Sequence, residues 1–171
     1  MRRSSLILAV WVKWQWYLTS SQLFNGVNKV IRKYQDADLN AVLDAWYSAS
    51  LVGHPFLTEA FFAEERQMMA TQYLPNAETW VYEENGQTVA FISMLENEVG
   101  GLFVHADYHR RGLGRALLDH VKQTRAFLTL EVFEENLVGR RFYEKYGFKK
   151  IGQGVNDATG QVVYKLQTNV R

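Results

Sequence analysis

The chain has 171 residues, of which 47% are hydrophobic and 22% charged, with a formal net charge of +1 and no cysteine. These values predict one globular domain with a sizeable core and no bulk attraction to nucleic acid. The lack of cysteine excludes disulfides, thiolate metal sites and a cysteine nucleophile. The four histidines lack the spacing of a metal-binding motif, so no metal is predicted.

The first 27 residues are predicted to be an extension that precedes the domain. Two arginines and the apolar run Leu6–Val12 imitate a signal peptide, but Lys13 interrupts the pattern and no small-residue cleavage site follows. The run is also shorter than the roughly 20 apolar residues that span a bilayer. Two interpretations stay open: a tryptophan-rich segment that docks on a membrane or on the domain, and a stretch upstream of a start at Val27 or Leu23. We expect a cytoplasmic protein with no membrane partner.

Hydrophobic periodicity and breaker residues predict elements in the order β-α-α-β-β-β-α-β-α-β-β. Asn85-Gly86, between two apolar runs, is the strongest hairpin signal among them. The predicted ranges are a strand at 29–34, a helix capped by Asp36 or Asp38, a loop at 51–57, a helix from Thr58 to near Pro75, strands at 79–83, 88–94 and 98–104, a helix at 112–125, a strand at 127–133, a helix at 136–146 ended by Gly147, and strands at 148–151 and 162–166.

The most informative stretch lies between Val104 and Leu118. An apolar strand run stops at a polar bend, and Gly112 and Gly114 then begin a helix pattern. Backbone N–H groups at such a helix N-terminus favour anions, so the turn predicts a phosphate or pyrophosphate site. The lysine of a Walker A motif and the third glycine of a dinucleotide fingerprint are both missing, which excludes those two kinds of site.

Two segments together resemble the GCN5-related N-acetyltransferase (GNAT) superfamily. Residues 104–114 are similar to its coenzyme A signature, Gln/Arg-x-x-Gly-x-Gly/Ala, although Ala106 stands where proline is common and His109 where glutamine or arginine is usual. Residues 136–148 are similar to the segment Asn-x-x-Ala-x-x-Phe-Tyr-x-x-x-Gly-Phe, with Gly139 in place of alanine. The two segments occur in the family's order and at its usual separation.

The resemblance implies an α/β (α+β) GNAT fold for a domain over residues 28–168. A mixed, mostly antiparallel sheet of about six or seven strands is expected to splay into a V, flanked by about four helices. The implied enzyme is an acyltransferase that moves an acetyl group from acetyl-CoA to a primary amine by direct attack in a ternary complex. The amine belongs to a small molecule or to a protein, as a lysine side chain or a chain N-terminus. The protein is expected to be a monomer or a homodimer.

The same resemblance implies where the coenzyme binds. Backbone groups of the strand that ends at Val104 would pair with the pantetheine arm like an added strand, and the amides of residues 110–115 would cradle the pyrophosphate. Arginines in the turn can add charge-assisted contacts. The expected coenzyme-binding residues are Leu102, Phe103, Val104, His109, Arg110, Arg111, Gly112, Leu113, Gly114, Arg115, Ala116, Asn136, Gly139, Arg140 and Tyr143.

Asn136 and Tyr143 are seven residues apart, about two helical turns, and are predicted to share a helix face with Gly139 and Arg140. By resemblance this face looks toward the thioester. Tyr143 is the expected general acid, because a phenol can supply the proton that the departing thiolate needs. Asn136 is expected to hydrogen-bond the pantetheine or the reacting region, which is compatible with a helix N-cap.

The general base is the least defined group. Glu131, on the strand beside the cleft, is the expected base, with Glu96, Glu98 or ordered water as alternatives. The acceptor side is expected to use His54, Phe56 and Tyr82. A different class of function stays open, a non-catalytic acyl-CoA-binding sensor in which the tyrosine is structural. A membrane-associated acyltransferase is a further alternative.

Overall fold

The computed structural model describes residues 28–169, so the predicted extension at 1–27 and the interpretations attached to it lie outside the described residues. Seven strands form one sheet within this range: β1 Lys29–Lys33, β2 Glu78–Glu84, β3 Gln87–Leu95, β4 Glu98–Val104, β5 Phe127–Phe133, β6 Lys149–Val155 and β7 Val162–Asn169. Its main helices are α1 Leu39–Gly53, α2 Glu59–Met68, α3 Leu113–Val121 and α4 Leu137–Tyr146. Helix α2 continues through a π-helical segment, Met69–Tyr73, into a last turn at Leu74–Asn76.

The sheet has the strand order β1-β2-β3-β4-β5-β7-β6, and only the β4–β5 pair is parallel. The two-residue turn at Asn85 and Gly86 joins β2 to β3, and both residues have the positive φ that a type I′ turn requires, 54° and 80°. The predicted hairpin and the predicted mixed, mostly antiparallel sheet are therefore confirmed.

Strands β4 and β5 separate soon after they meet. Their pairing is limited to Glu98 with Thr129 and Val99 with Leu130. On the other side of β4 the register with β3 shifts at Gly100, which leaves this glycine as the extra residue of a β-bulge. A bulge bends its strand and increases the local twist. The carboxyl-terminal parts of β4 and β5 consequently diverge and leave the V-shaped cleft between them.

Each face of the sheet is covered by a pair of helices. Alternate residues of β5 (Leu128, Leu130 and Val132) enter a core with α3 and α4, because successive strand residues point to opposite faces. On the other face, α1 and α2 pack over Val81 and Phe91. The cleft thus opens between two well-packed layers.

Three boundaries differ from the sequence prediction. Helix α1 continues to Gly53, where a loop was predicted from residue 51, and β6 and β7 extend to Val155 and Asn169. Strand β6 is mostly exposed and contains two glycines, so it carries no alternating pattern, and its length is set by hydrogen bonding to β7. None of the helices in the described part of the chain combines the length and the hydrophobicity needed to cross a membrane.

Candidate active site

The glycine turn lies at the mouth of the cleft, between β4 and α3. Gly112 is the N-cap of α3 and has a φ of 85°, a left-handed conformation that glycine adopts without steric cost. A Cβ built on Gly112 would meet no atom within 4 Å. Open space beside the free N–H groups of a helix N-terminus provides a site for an anion.

Three exposed arginines surround this turn. Arg111 donates to the carbonyl oxygen of Asp107 at 3.0 Å, and its guanidinium lies 4.7 Å from the centre of the Tyr108 ring. Arg115 pairs loosely with Asp119, at 3.7 Å. Arg110 has a φ of 62° and an exposed side chain. The turn therefore places three cationic side chains beside the N-terminus of α3.

Gly114 serves a different purpose from Gly112. A Cβ at Gly114 would lie 3.2 Å from Cζ of Phe142 and 3.7 Å from Cγ2 of Val104. This glycine lets α3 approach α4 and the end of β4 closely. The sequence predicted both glycines as parts of an anion site, whereas the structure gives the second one a packing role as well.

His109 holds the turn against the end of β4. Its Nε2 lies 2.7 Å from the carbonyl oxygen of Val104, which can only accept, so Nε2 carries the proton. The imidazole thus links the bend that follows β4 to the last residue of that strand by a side-chain hydrogen bond. This is the role that the structure shows for the histidine that stands where the family signature has glutamine or arginine.

Helix α4 begins at Asn136, whose Oδ1 accepts from the backbone N–H of Gly139 at 2.8 Å. One face of the helix then carries Tyr143, whose ring packs edge-to-face against Phe142 and Phe148. Burial raises the pKa of Tyr143 above its ordinary value. The raised pKa keeps the phenol protonated, and within residues 28–169 its hydroxyl forms no hydrogen bond to another group.

The guanidinium of Arg140 is engaged by other groups. It donates to the carbonyl oxygen of Glu134 at 2.7 Å and lies 4.9 Å from the centre of the Tyr164 ring on β7. Phe142, by contrast, faces Gly114 on α3. The spacing of Arg140 from Asn136 and Tyr143 is that of a shared helix face, but its long side chain extends to Glu134 and Tyr164, so its contact with the coenzyme stays a prediction.

The loop after α1 reaches the start of α4. Nε2 of His54 lies 3.0 Å from Nδ2 of Asn136, although the two residues are 82 positions apart. The imidazole also packs against Phe56 and Phe133, with ring centres 5.9 and 5.4 Å away, and its burial lowers the pKa to about 4. Phe133 was missed from the sequence, although strand alternation places it on the face opposite Leu130 and Val132.

Two other predicted residues lie elsewhere or are already engaged. Tyr82 is buried in the core with α3, on the face of the sheet opposite Phe133, so the prediction that it contacts the acceptor is wrong. Glu131 is exposed and forms an ion pair with Lys165 at 3.2 Å. Its strand position puts it on the same face as Phe133, beside the cleft.

The alternative bases lie at the wrong end of the strand. Glu98 belongs to the short paired stretch of β4 and β5, and Glu96 precedes it in the turn after β3. Both are therefore at the closed end of the V, six or more residues from Val104. Within residues 28–169, no group of three or more histidine, aspartate or glutamate side chains is placed to hold a metal ion.

Comparison with known proteins shows which protein family this chain resembles. The family model described as the acetyltransferase (GNAT) domain matches residues 75–150. The chain is 34% identical over 131 residues to the peptidyl-lysine N-acetyltransferase YiaC of Escherichia coli K12, which covers 76% of this chain and 90% of that protein. The peptidyl-lysine N-acetyltransferase YjaB of the same organism is 30% identical over 132 residues, covering 77% and 89%.

Solved structures agree with the sequence relatives. The solution structure of apo YjaB from E. coli matches with a TM-score of 0.74 at 27% identity, over 82% of this chain and 97% of that one. The PaiA N-acetyltransferase of Thermoplasma acidophilum, in complex with coenzyme A, matches at 0.68 and 18% identity over 84% and 99%, which shows a shared fold. With an open seven-stranded sheet and this identity to YiaC, the chain belongs to the GNAT acetyltransferase family and is an acyltransferase.

Proposed function

We propose that this protein transfers the acetyl group of acetyl-CoA to the side-chain amine of lysine residues in proteins, by direct attack in a ternary complex. The observation that carries the proposal is the cleft between β4 and β5, with the glycine turn at its mouth and Tyr143 on the adjoining helix. The names of YiaC and YjaB, both peptidyl-lysine N-acetyltransferases, support the choice of acceptor.

The residues of the turn fit a pyrophosphate. The empty space at Gly112, the N–H groups that open α3 and the exposed arginines all favour an anion there. The side chain of Leu113 is buried in the core, so it contributes its backbone N–H alone. Beyond Val99, the edge of β4 has no partner on β5, so the backbone of residues 102–104 is open to the pantetheine arm except at the carbonyl oxygen of Val104, which accepts from His109.

The chain's own groups then have the following roles. As the neutral amine nitrogen bonds to the carbonyl carbon and the carbon–sulfur bond breaks, Tyr143 gives its proton to the departing sulfur. Glu131, or water held beside it, removes a proton from the attacking nitrogen. After the products leave, Glu131 or its water releases the proton that it took and Tyr143 regains one from solvent, so one acetyl group moves and the proton count balances.

The surface around His54 and Asn136 suits a polypeptide. Leu51 and Val52 lie just before His54 in the chain, and Leu137 and Val138 follow Asn136 directly. All four side chains are about half exposed, between 45% and 55%. Apolar side chains that stay exposed around a cleft are typical of protein contact surfaces, whereas a small amine needs an enclosed pocket.

An acceptor comparison tests the proposal. Purified protein is incubated with acetyl-CoA and one of three acceptors: a lysine peptide with a blocked N-terminus, the same peptide with arginine in place of lysine and a free N-terminus, and a mixture of small amines. Free thiol and peptide mass are followed. We expect turnover on the lysine peptide. Turnover on only the other acceptors contradicts the choice of lysine, and tight acetyl-CoA binding with no turnover on any acceptor indicates the non-catalytic sensor.

A further inference from the structure

The side chain of Asn136 occupies a slot made by two distant parts of the chain. Its Oδ1 accepts from the N–H of Gly139 at 2.8 Å, and its Nδ2 lies 3.0 Å from Nε2 of His54. Gly53, the last residue of α1, forms another wall, since a Cβ there would lie 3.4 Å from both polar atoms of the amide. The amide is therefore enclosed by groups from α1, from the loop after it and from α4.

The slot depends on a glycine at position 139. A Cβ on Gly139 would lie 2.8 Å from Nδ2 and 3.0 Å from Cγ of Asn136, which is closer than side-chain atoms approach one another. Asn136 is held by its own cap to Gly139 and cannot retreat without losing it. The alanine that is common at this position in the family signature would thus push the amide away from His54.

The N–H of Gly139 fixes which way the amide faces, and the amide fixes the tautomer of His54. Because the imidazole is neutral and Nε2 faces an amide N–H, Nε2 accepts and Nδ1 carries the proton. A flipped amide would place its NH₂ against the N–H of Gly139 and lose that hydrogen bond, so the cap fixes the amide orientation, and the amide in turn fixes the tautomer of His54. One hydrogen of Nδ2 remains for a further acceptor.

We propose that His54 is a positioning residue, which anchors the amide of Asn136 through its Nδ2 and couples the acceptor side of the cleft to the helix that carries Tyr143. The amide hydrogen left free by His54 is then available to a carbonyl oxygen of the bound thioester arm. This inference rests on the proposed function for its effect on rate, whereas the contact itself does not depend on turnover.

The imidazole tautomer tests the contact without any acceptor. Nitrogen-15 spectra of the labelled protein at neutral pH distinguish the two forms, and His109, which donates through Nε2, is an internal reference of the opposite kind. We expect His54 to carry its proton on Nδ1 in the native protein and to lose this preference in Asn136→Ala. A proton on Nε2 of His54 in the native protein overturns the proposal.

A double-mutant cycle tests the coupling. His54→Ala and Gly139→Ala are each expected to lower kcat/KM about tenfold, as the loss of one hydrogen bond in a half-buried site does. The double variant is expected to be no worse than either single one, and His54→Gln, which keeps an acceptor, to regain part of the loss. Effects that multiply in the double variant contradict the coupling.

A matched variant controls for the added methyl group. Gly154→Ala makes the same chemical change on β6, where a Cβ would meet no atom within 4 Å, and is expected to keep native kcat/KM. Circular dichroism and thermal unfolding of each variant show whether a loss of rate comes from loss of the fold. Because the tautomer is read without turnover, a failure of the proposed function and a failure of this contact give different results.

Discussion

The ring of Tyr143 packs against the core, and its hydroxyl has no hydrogen-bond partner in the described part of the chain. Replacing it with phenylalanine keeps the packing and removes the proton. We expect Tyr143→Phe to lower kcat about 100-fold or more with little change in coenzyme affinity, measured by thiol release and by calorimetric titration of coenzyme A. Tyr146→Phe, one turn later on α4, loses a hydroxyl bonded to Asp119 at 2.7 Å and is expected to keep native kcat. A native kcat for Tyr143→Phe contradicts the general-acid role.

Gly112 allows a second test at the scale of one residue. We expect Gly112→Glu to weaken coenzyme A binding on the order of 100-fold or more, because the added carboxylate fills the space for the pyrophosphate and repels its negative charge. Gly86→Glu is a close control, since its φ of 80° and empty surroundings match those of Gly112. Both variants carry a similar left-handed strain of about 1–2 kcal/mol, but Gly86→Glu keeps the affinity. Equal affinity in the two variants places the anion elsewhere.

At the scale of elements, an ion pair ties β1 to the start of α1. Arg32 on β1 contacts both carboxylate oxygens of Asp38, at 2.7 and 2.8 Å, and donates to Glu83 on β2 at 2.9 Å. Asp38 also accepts from the hydroxyl of Thr88. The hydrogen bonds from Arg32 hold the pKa of Asp38 below its ordinary value. A lowered pKa in the folded state means that the carboxylate stabilises the fold when it is ionised.

Asp38→Asn tests this ion pair. We expect the free energy of unfolding at pH 7 to fall by about 2 kcal/mol, less than for a fully buried pair because the side chain of Arg32 is 30% exposed. The stabilisation by the ionised carboxylate of Asp38 is complete above the unfolded pKa of about 3.9 and disappears as the pH falls through the folded pKa. The unfolding free energies of the native protein and Asp38→Asn therefore converge in acid. Urea unfolding at pH 7 and pH 3 measures this.

An exposed pair provides the control for that measurement. Lys165→Gln removes the partner of Glu131, and both side chains are more than 40% exposed, so we expect a loss below about 1 kcal/mol. A difference between native protein and Asp38→Asn that stays constant from pH 7 to pH 3 would contradict the electrostatic origin of the effect.

At the scale of the whole molecule, the two halves of the sheet meet at very few points. Only two residue pairs join β4 to β5, so the amides that line the cleft have no strand partner beyond Val99. We expect saturating acetyl-CoA to slow hydrogen exchange at residues 102–104 and 110–115, by up to about 100-fold when the ligand is at 100 times its Kd. Exchange mass spectrometry measures this.

Strand β6 is the reference region for the exchange experiment. It lies at the far edge of the sheet, two strands from the cleft, and pairs only with β7 among the described residues. Its exchange is expected to stay the same with and without acetyl-CoA. Uniform protection along the whole chain, or none at residues 102–104, would contradict binding between the diverging strands.

The sequence by itself determined the features that a few neighbouring residues control. Asn85-Gly86 requires a tight hairpin, Asn136 and Gly139 form their own cap, and Gly147, with a φ of 119°, ends α4. The glycine turn and the segment at 136–148 also identified the family, and with it the mixed, mostly antiparallel sheet. Such features follow from backbone conformation and nearby hydrogen bonds, which do not depend on the rest of the fold.

Only the tertiary structure decided which side chains meet. His54 reaches Asn136 across 82 positions because α1 ends beside the start of α4, and Phe133 joins them because β5 ends there. Arg140 and Tyr82 were predicted for the site from the sequence, but the Arg140 guanidinium extends to Tyr164 and Tyr82 is buried in the core with α3. Which distant side chains meet depends on how the helices and the sheet pack against each other, and a local sequence pattern does not contain that information. The general class of chemistry was thus readable from the chain, and the coupling around Asn136 was not.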